Sequence, residues 1–547
     1  MTMRNTTVMN RRTLLRTGAA GMTLLMSNAA AGRLAAQEAS GRVVIGFSQE
    51  PTVMHPHMPH IEVDEGIHFN LFDPLFIVDT DGNFQPSLAR EVPTVENGGI
   101  SEDGLNWRVK LRDDVTWHDG EPFTAEDVKF TIELNQNPDF NAMRRNGHEL
   151  VRNIRVVNDH ELTWEMAEPF APYPAILSWT FIVPAHVLAG AEDPNQTDFR
   201  NKPIGTGPFS FGERVAGNYI LLNANQDYFG EGPHLEQAIF RYIPDMTVLY
   251  TQFRTGDIDV IGLQGIQPDR YEQAQQIPER EIVIAPSSAV ESITFNMGKP
   301  QFQDPEVRRA LSLALDRETI VEALYYGIPE QTESFLPRES YYYNEKLPSA
   351  AFDPEKAAQV LDEAGWLPGA DGVREKDGVR LAFKNSTTAG NNVREQAQQL
   401  IQQTYAAIGV EMEISNLPPA VMWGEYWMMS QFDSVMVGIT FTTGPDPDVS
   451  NYLHSSSIPA QGGAGQNTWQ YKNERVDELL EKGGRMFVPK KRKEVYDEIQ
   501  RLVHEDMPFL PMFQYANLRG HKTGLEGFDP NVNVRIETWN LNEWRWA

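Results

Sequence analysis

Beyond an N-terminal leader the chain runs for ~510 residues, more than one hydrophobic core usually supports. Nothing in it reads as a linker. There is no Ser/Gly/Pro-rich connector, no low-complexity tract and no obvious internal repeat. Two or three lobes are therefore expected, and lobes without linkers require the chain to cross between them more than once. Strand patterns mix with long helical ones throughout, which predicts an α/β (mixed α+β) architecture. Residues 43–47 (VVIGF) read as an early buried strand, and Trp107, Val109 and Leu111 alternate with polar residues as in a half-buried strand. At 117–128 (WHDGEPFTAEDV) a strand end, a tight turn and a helix follow one another, with Thr124 as cap and Asp127 in capping-box position. Residues 305–326 predict one helix, with Val307, Ala310, Leu311, Ala314 and Leu315 on one face. Asp353-Pro354 starts a helix over 355–364 that Gly365 ends. Another over 392–408 stops at Gly409 and leads into a strand at 410–414, and a late helix covers 491–504.

The leader has its own chemistry. Residues 1–36 carry Arg4, Arg11, Arg12, Arg16 and Arg33 and no acidic side chain. Asn10-Arg11-Arg12-Thr13-Leu14-Leu15-Arg16 looks like a twin-arginine export signal, followed by a moderately apolar run at 17–26 and small residues suited to cleavage at 29–31 or 34–36. The run is too short and Gly-rich for a permanent span, which needs about 20 apolar residues. With no cysteine anywhere, disulfides, thiolate metal sites, cysteine nucleophiles and a lipoprotein anchor are all ruled out. A soluble, unanchored periplasmic protein is the expectation.

Charge and motifs exclude other classes. With 47 Lys+Arg against 76 Asp+Glu, the net charge of −29 repels phosphate backbones and anionic lipid, so no nucleic-acid partner is expected. There is no G-x-S-x-G, no H-E-x-x-H, no phosphate-cradling loop and no cofactor fingerprint. An exported glycoside hydrolase with two carboxylates is the rival enzyme class, but no particular pair stands out. Neither an enzyme nor a cofactor is expected.

Several separate segments carry a resemblance. The stretch 74–128 comes first, with its turns at Asp81-Gly82-Asn83 and Glu102-Asp103-Gly104. Ile204-Gly205-Thr206-Gly207-Pro208-Phe209 follows, then Phe253-Arg254-Thr255-Gly256-Asp257-Ile258-Asp259-Val260. Phe295-Asn296, with Asp304-Pro305-Glu306-Val307-Arg308-Arg309-Ala310-Leu311 and Ala314-Leu315-Asp316-Arg317, completes the series. In this order and spacing the chain resembles the dipeptide/oligopeptide-binding family of ABC importers, the family 5 solute-binding proteins, over nearly all its mature length. The resemblance implies a two-lobed periplasmic clamshell with a subdivided lobe I. Subdomain Ia is expected at 37–70, 205–282 and 515–547, subdomain Ib at 71–204, and lobe II at 283–514.

It also implies a role: capture of a peptide or peptide-like solute between the lobes and delivery to an inner-membrane permease, by a monomer. Candidate contacts are the loop Gln49, Glu50, Pro51 and Thr52; the Gly205, Thr206, Gly207 loop; and Thr440, Phe441, Thr442 and Asp446 in lobe II. Trp179 and Trp423, with Tyr426 and Trp427 near the latter, are candidates for stacking on ligand. Where peptide-binding members place an Asp for the α-ammonium, this chain has Thr442, and Asp446 with Asp448 also reads as a turn scaffold around Pro447. An oligosaccharide, an opine-like conjugate or a nickel complex is thereby an alternative solute. His55, His57 and His60 could bind metal, but Pro56 and Pro59 predict an extended segment that separates them, and no metal site is expected.

Overall fold

Two long antiparallel strands, Arg280–Phe295 and Phe509–Lys522, run side by side through the centre of the computed structural model. Residues 41–349, 351–442 and 444–547 are described, so the twin-arginine leader expected at 1–36 lies outside the described residues. One half of the strand pair, Arg280–Pro286 against Ala516–Lys522, adjoins the strands Val260–Ile266, Arg42–Phe47, Gln237–Tyr242, Tyr219–Ala224 and Phe209–Val215. The other half, Val290–Thr294 against Phe509–Gln514, adjoins Ser434–Thr440, Ala382–Ser386 and Glu411–Ile414. Register slips between Pro286 and Val290, where the two halves meet. The chain thus crosses from one half to the other on adjacent strands, as the missing linker requires.

Each half has its own core. Val43, Ile45 and Phe47 pack with Phe209, Phe240, Ile536 and Trp544, so the C-terminus completes the first lobe. A second cluster in that lobe, built on the stacked Trp107 and Trp164, spans Leu75 to Ile182. The other lobe holds one cluster around Phe295, Leu311, Phe383 and Tyr405 and another around Trp469, Tyr496 and Phe509. The result is a mixed α/β clamshell with a subdivided first lobe.

Local rules account for the elements. Asp127 accepts from the Thr124 amide at 2.9 Å and starts the helix Ala125–Gln136. The Asp353 carboxylate accepts from the Lys356 amide at 2.8 Å and starts Pro354–Glu363, while Gly409, at φ +80°, follows Asn392–Ala407. Residues 305–326 depart from expectation. They form two helices, Pro305–Leu313 and Arg317–Tyr325, because the Asp316 carboxylate accepts from the Thr319 amide at 3.0 Å and restarts the chain in a new direction. The segment 54–60 also differs: it turns instead of extending. The Met58 amide donates to the His55 carbonyl at 3.2 Å, and the His55 and His57 rings lie 6.0 Å apart.

Candidate functional site: a cavity between the lobes

A cavity of about 650 Å³ opens where the two halves of the sheet meet. Ser288, in the register slip, contributes to its floor. The first lobe supplies His57, His60, Glu65, Arg144, Trp179 and Arg535; the second supplies Trp423, Thr440, Thr442, Asn451 and Tyr452.

The first-lobe wall is electrostatically lopsided. Glu65, buried on the helix Glu62–Leu71, presents Oε1 to Arg144 at 3.8 Å, Arg535 at 3.7 Å and His60 at 3.7 Å, and its Oε2 has no partner. Both guanidinium groups also lie over the Trp179 indole, at 5.3 and 5.5 Å from the ring. Burial lowers the Arg144 pKa, Glu65 opposes this, and the charge of Arg535 lowers it further; a guanidinium stays charged regardless. At the cavity wall the two cations therefore share Glu65, while outside the lining Glu62 also interacts with Arg535, whose charge opposes the rise in the Glu62 pKa caused by burial. The Trp179 Nε1–H is buried without an acceptor.

Two imidazoles in the same wall are held neutral. Burial pushes His57 down to about 4, and its Nε2–H donates to the Phe181 carbonyl at 2.6 Å. Burial likewise takes His148 down to about 3. The Thr180 hydroxyl donates to the Ile176 carbonyl, so it accepts from His148 Nε2–H at 3.2 Å, and His148 Nδ1 is left to accept from the Tyr173 hydroxyl at 3.2 Å. His55 is turned away among Phe140 and Phe199. Among the described residues no three His, Asp or Glu side chains are grouped to hold a metal ion.

The structure brings Trp179, Trp423, Thr440 and Thr442 to the cavity, with the largely buried Trp427 and the imidazoles of His57 and His60 also in its lining, and places Gln49–Thr52, Gly205–Gly207, Tyr426, Phe441 and Asp446 outside it. Gln49 is exposed. Glu50 accepts from Arg214 at 2.7 Å and from the Gly217 amide at 2.9 Å, and the Pro51 carbonyl also accepts from Arg214. The amide of Thr52, with those of Val53 and Ile61, donates to the buried Asp64 carboxylate. These groups are spent on holding the first loop.

The Gly205–Gly207 loop is a brace. His118 Nδ1 accepts from the Gly205 amide at 3.1 Å, and its Nε2–H donates to the Gly207 carbonyl at 3.0 Å. Thr206 donates to the buried Asp73 at 2.8 Å. A Cβ on Gly205 would fall 1.7 Å from the Leu71 carbonyl oxygen, which only glycine avoids. Phe441 is buried against Tyr452 and Phe509. Asp446 forms a buried two-pronged ion pair with Arg492 at 2.5 and 3.0 Å, and its Oδ1 accepts the Asp448 amide, the turn scaffold the sequence also allows. Sequence reasoning passed over Arg144, Arg535, His148, Asn451 and Tyr452. Arg144 had a faint signal in its tandem with Arg145; Arg535 had none.

Two lobes of mixed α/β structure, joined by paired crossing strands over a polar and aromatic cavity, are the build of a solute-binding protein. The profile of the bacterial extracellular solute-binding proteins, family 5 Middle, matches residues 83–461, and the chain belongs to this family. It is 29% identical over 534 residues to the oligopeptide-binding protein AppA of Bacillus subtilis (strain 168), covering 95% of this chain and 94% of that one. To Protein XP55 of Streptomyces lividans it is 30% identical over 469 residues, 86% of this chain and 82% of the relative. The structure of B. subtilis AppA in complex with a nonapeptide is similar at a TM-score of 0.72 and 28% identity, with 93% and 99% of the two chains covered. NikZ from Campylobacter jejuni in complex with Ni(L-His) gives 0.74 and 26%, with 92% and 99% covered. No helix among the described residues is long and apolar enough to cross a membrane.

Proposed function

We propose that this protein is the periplasmic receptor of an ABC importer, a monomer that captures a short peptide or peptide-like solute between its lobes and hands it unchanged to an inner-membrane permease. The observation that carries the reading is the cavity at the crossing strands, walled by both lobes and floored by Ser288. Its volume lies in the range that holds small solutes, about 300–1,000 Å³, which favours a ligand of a few residues. Residues 283–514 act as the moving lobe, and the slip between Pro286 and Val290 serves as the hinge.

Closure follows from contacts that exist only when the lobes meet. A solute touching Trp179 on one side and Trp423 or Thr442 on the other stabilises the closed form over the open one, and by that difference alone. The test is to titrate the mature protein with pools of two- to five-residue peptides, following melting temperature and recovering the ligand by mass spectrometry. A rise in melting temperature with peptides returned intact is expected. Cleaved peptides, or a rise with neutral sugars and none with peptides, would overturn the reading.

A further inference from the structure

Facing the cavity, the wall around Trp179 sets two guanidinium groups against one carboxylate; Glu62, which also interacts with Arg535, lies outside the lining. Among the residues lining the cavity, Arg144 and Arg535 are the arginines and Glu65 the one carboxylate. Its contacts to both are long, at 3.8 and 3.7 Å. In a partly desolvated site an unbalanced guanidinium is costly, and a ligand anion is the group that relieves it. The donors are fixed in place. Both guanidinium groups rest on the Trp179 indole, whose own Nε1–H is buried and unmatched. Arg535 sits between the buried Val534 and Ile536 with its backbone at φ +62°, a left-handed conformation rare for a residue with a side chain. Nearby, the Asn531 side chain ties the same segment to the Val78 carbonyl at 2.9 Å. The second-lobe wall, by contrast, offers hydroxyls, amides and rings, and no carboxylate.

We infer that the solute carries a carboxylate received by Arg144 and Arg535 beside Trp179 in the first lobe, and that a free ammonium is not required for its recognition. The inference deepens the receptor reading above and rests on it. An ammonium placed at Glu65 would be a further cation among two guanidinium groups, which opposes binding in that orientation. Carboxylate-bearing peptides, N-blocked peptides and amino-acid conjugates meet the requirement; neutral sugars and C-amidated peptides do not.

The experiment compares four forms of the same short-peptide pool on the mature protein: free, N-acetylated, C-amidated, and both. N-acetylglutamate and glutarate serve as non-peptide carboxylates. Binding is read by calorimetry and melting temperature. The expected result is a loss of at least about tenfold in affinity on amidation and a change of less than about threefold on acetylation. Arg144→Gln and Arg535→Gln should each erase the difference between acid and amide forms. Arg144→Lys, which keeps the charge, should retain part of it and guards against a variant that fails to fold. The inference is overturned if acetylation abolishes binding while amidation does not, if the arginine variants still discriminate, or if no carboxylate probe binds. Binding of N-acetylglutamate or glutarate without any peptide would overturn the peptide reading and leave the anion inference standing.

Discussion

The ring of Phe487 packs edge-on against Trp107, with centroids 6.2 Å apart and planes at 69°, and so joins one lobe to the core of the other. Phe487 lies between the helices Glu474–Gly484 and Pro489–Asp506 of the second lobe, while Trp107 belongs to the three-stranded sheet of the first. The contact is backed by the Ala171 amide, which donates to the Gly484 carbonyl at 2.7 Å. It also explains Gly104, where a Cβ would meet the Phe487 ring at 2.3 Å and the backbone stands at φ +74°. These contacts bridge the two lobes and would break if the lobes moved apart.

Phe487→Ala should therefore favour the open form. We expect a larger radius of gyration by small-angle scattering and solute affinity lower by about tenfold, near 1.4 kcal/mol. An unchanged scattering curve and unchanged affinity would show that the contact does not contribute to closure.

Asp446 tests a structural role against a binding one. Its partner Arg492 is buried and lies over the Tyr342 and Tyr496 rings at 5.8 and 5.4 Å. Asp446→Ala leaves that charge unpaired and should cost about 3–5 kcal/mol in urea unfolding. Lost solute affinity with full stability would instead make Asp446 a ligand contact.

Trp423 and Trp427 separate in the same way. Trp423 is 41% exposed on the cavity, whereas Trp427 is 5% exposed and stacked on Phe432 at 5.4 Å. Trp423→Ala should weaken solute binding with a stability change within about 0.5 kcal/mol. Trp427→Ala should destabilise the fold by about 3–5 kcal/mol. Paired thermal melts and calorimetry distinguish the two.

Asp73 sets a pH dependence. Burial raises its pKa from 3.8 to about 6, against the hydrogen bonds from Thr206 and Tyr228 that favour its ionised form. The folded state thus holds this proton more tightly than the unfolded state does. Stability should fall as pH rises from about 4 to about 6, by at most about 3 kcal/mol, and the cost is complete above that window. In Asp73→Asn this component should vanish. The check is unfolding free energy at pH 4.5 and 7 for both proteins; an equal difference between them at the two pH values would contradict the assignment.

Much of the fold was legible because its causes are local. The Thr124–Asp127 box, the Asp353 cap and the Gly409 stop each act within about one helical turn, so neighbouring letters reveal them. The same reading failed at Asp316, where a cap interrupts an apolar face that continues in sequence across the break. It failed again at His55–His60, where the chain turns through the Met58–His55 backbone bond and the His55 ring packs against Phe140 and Phe199, residues distant in sequence.

The site was less legible for a related reason. Glu50, Thr52, Thr206 and Asp446 have the chemistry of ligand-binding groups, and sequence could not show that Arg214, Asp64, Asp73 and Arg492 already engage them. What the sequence by itself determined is the class: a mixed α/β chain too long for one core, without linkers, in the order of motifs that family membership bears out. Only the tertiary structure decided which charges face the cavity. Arg144 and Arg535 come from distant segments and meet over Trp179 because the C-terminal segment packs back into the first lobe, and no local pattern encodes such a meeting.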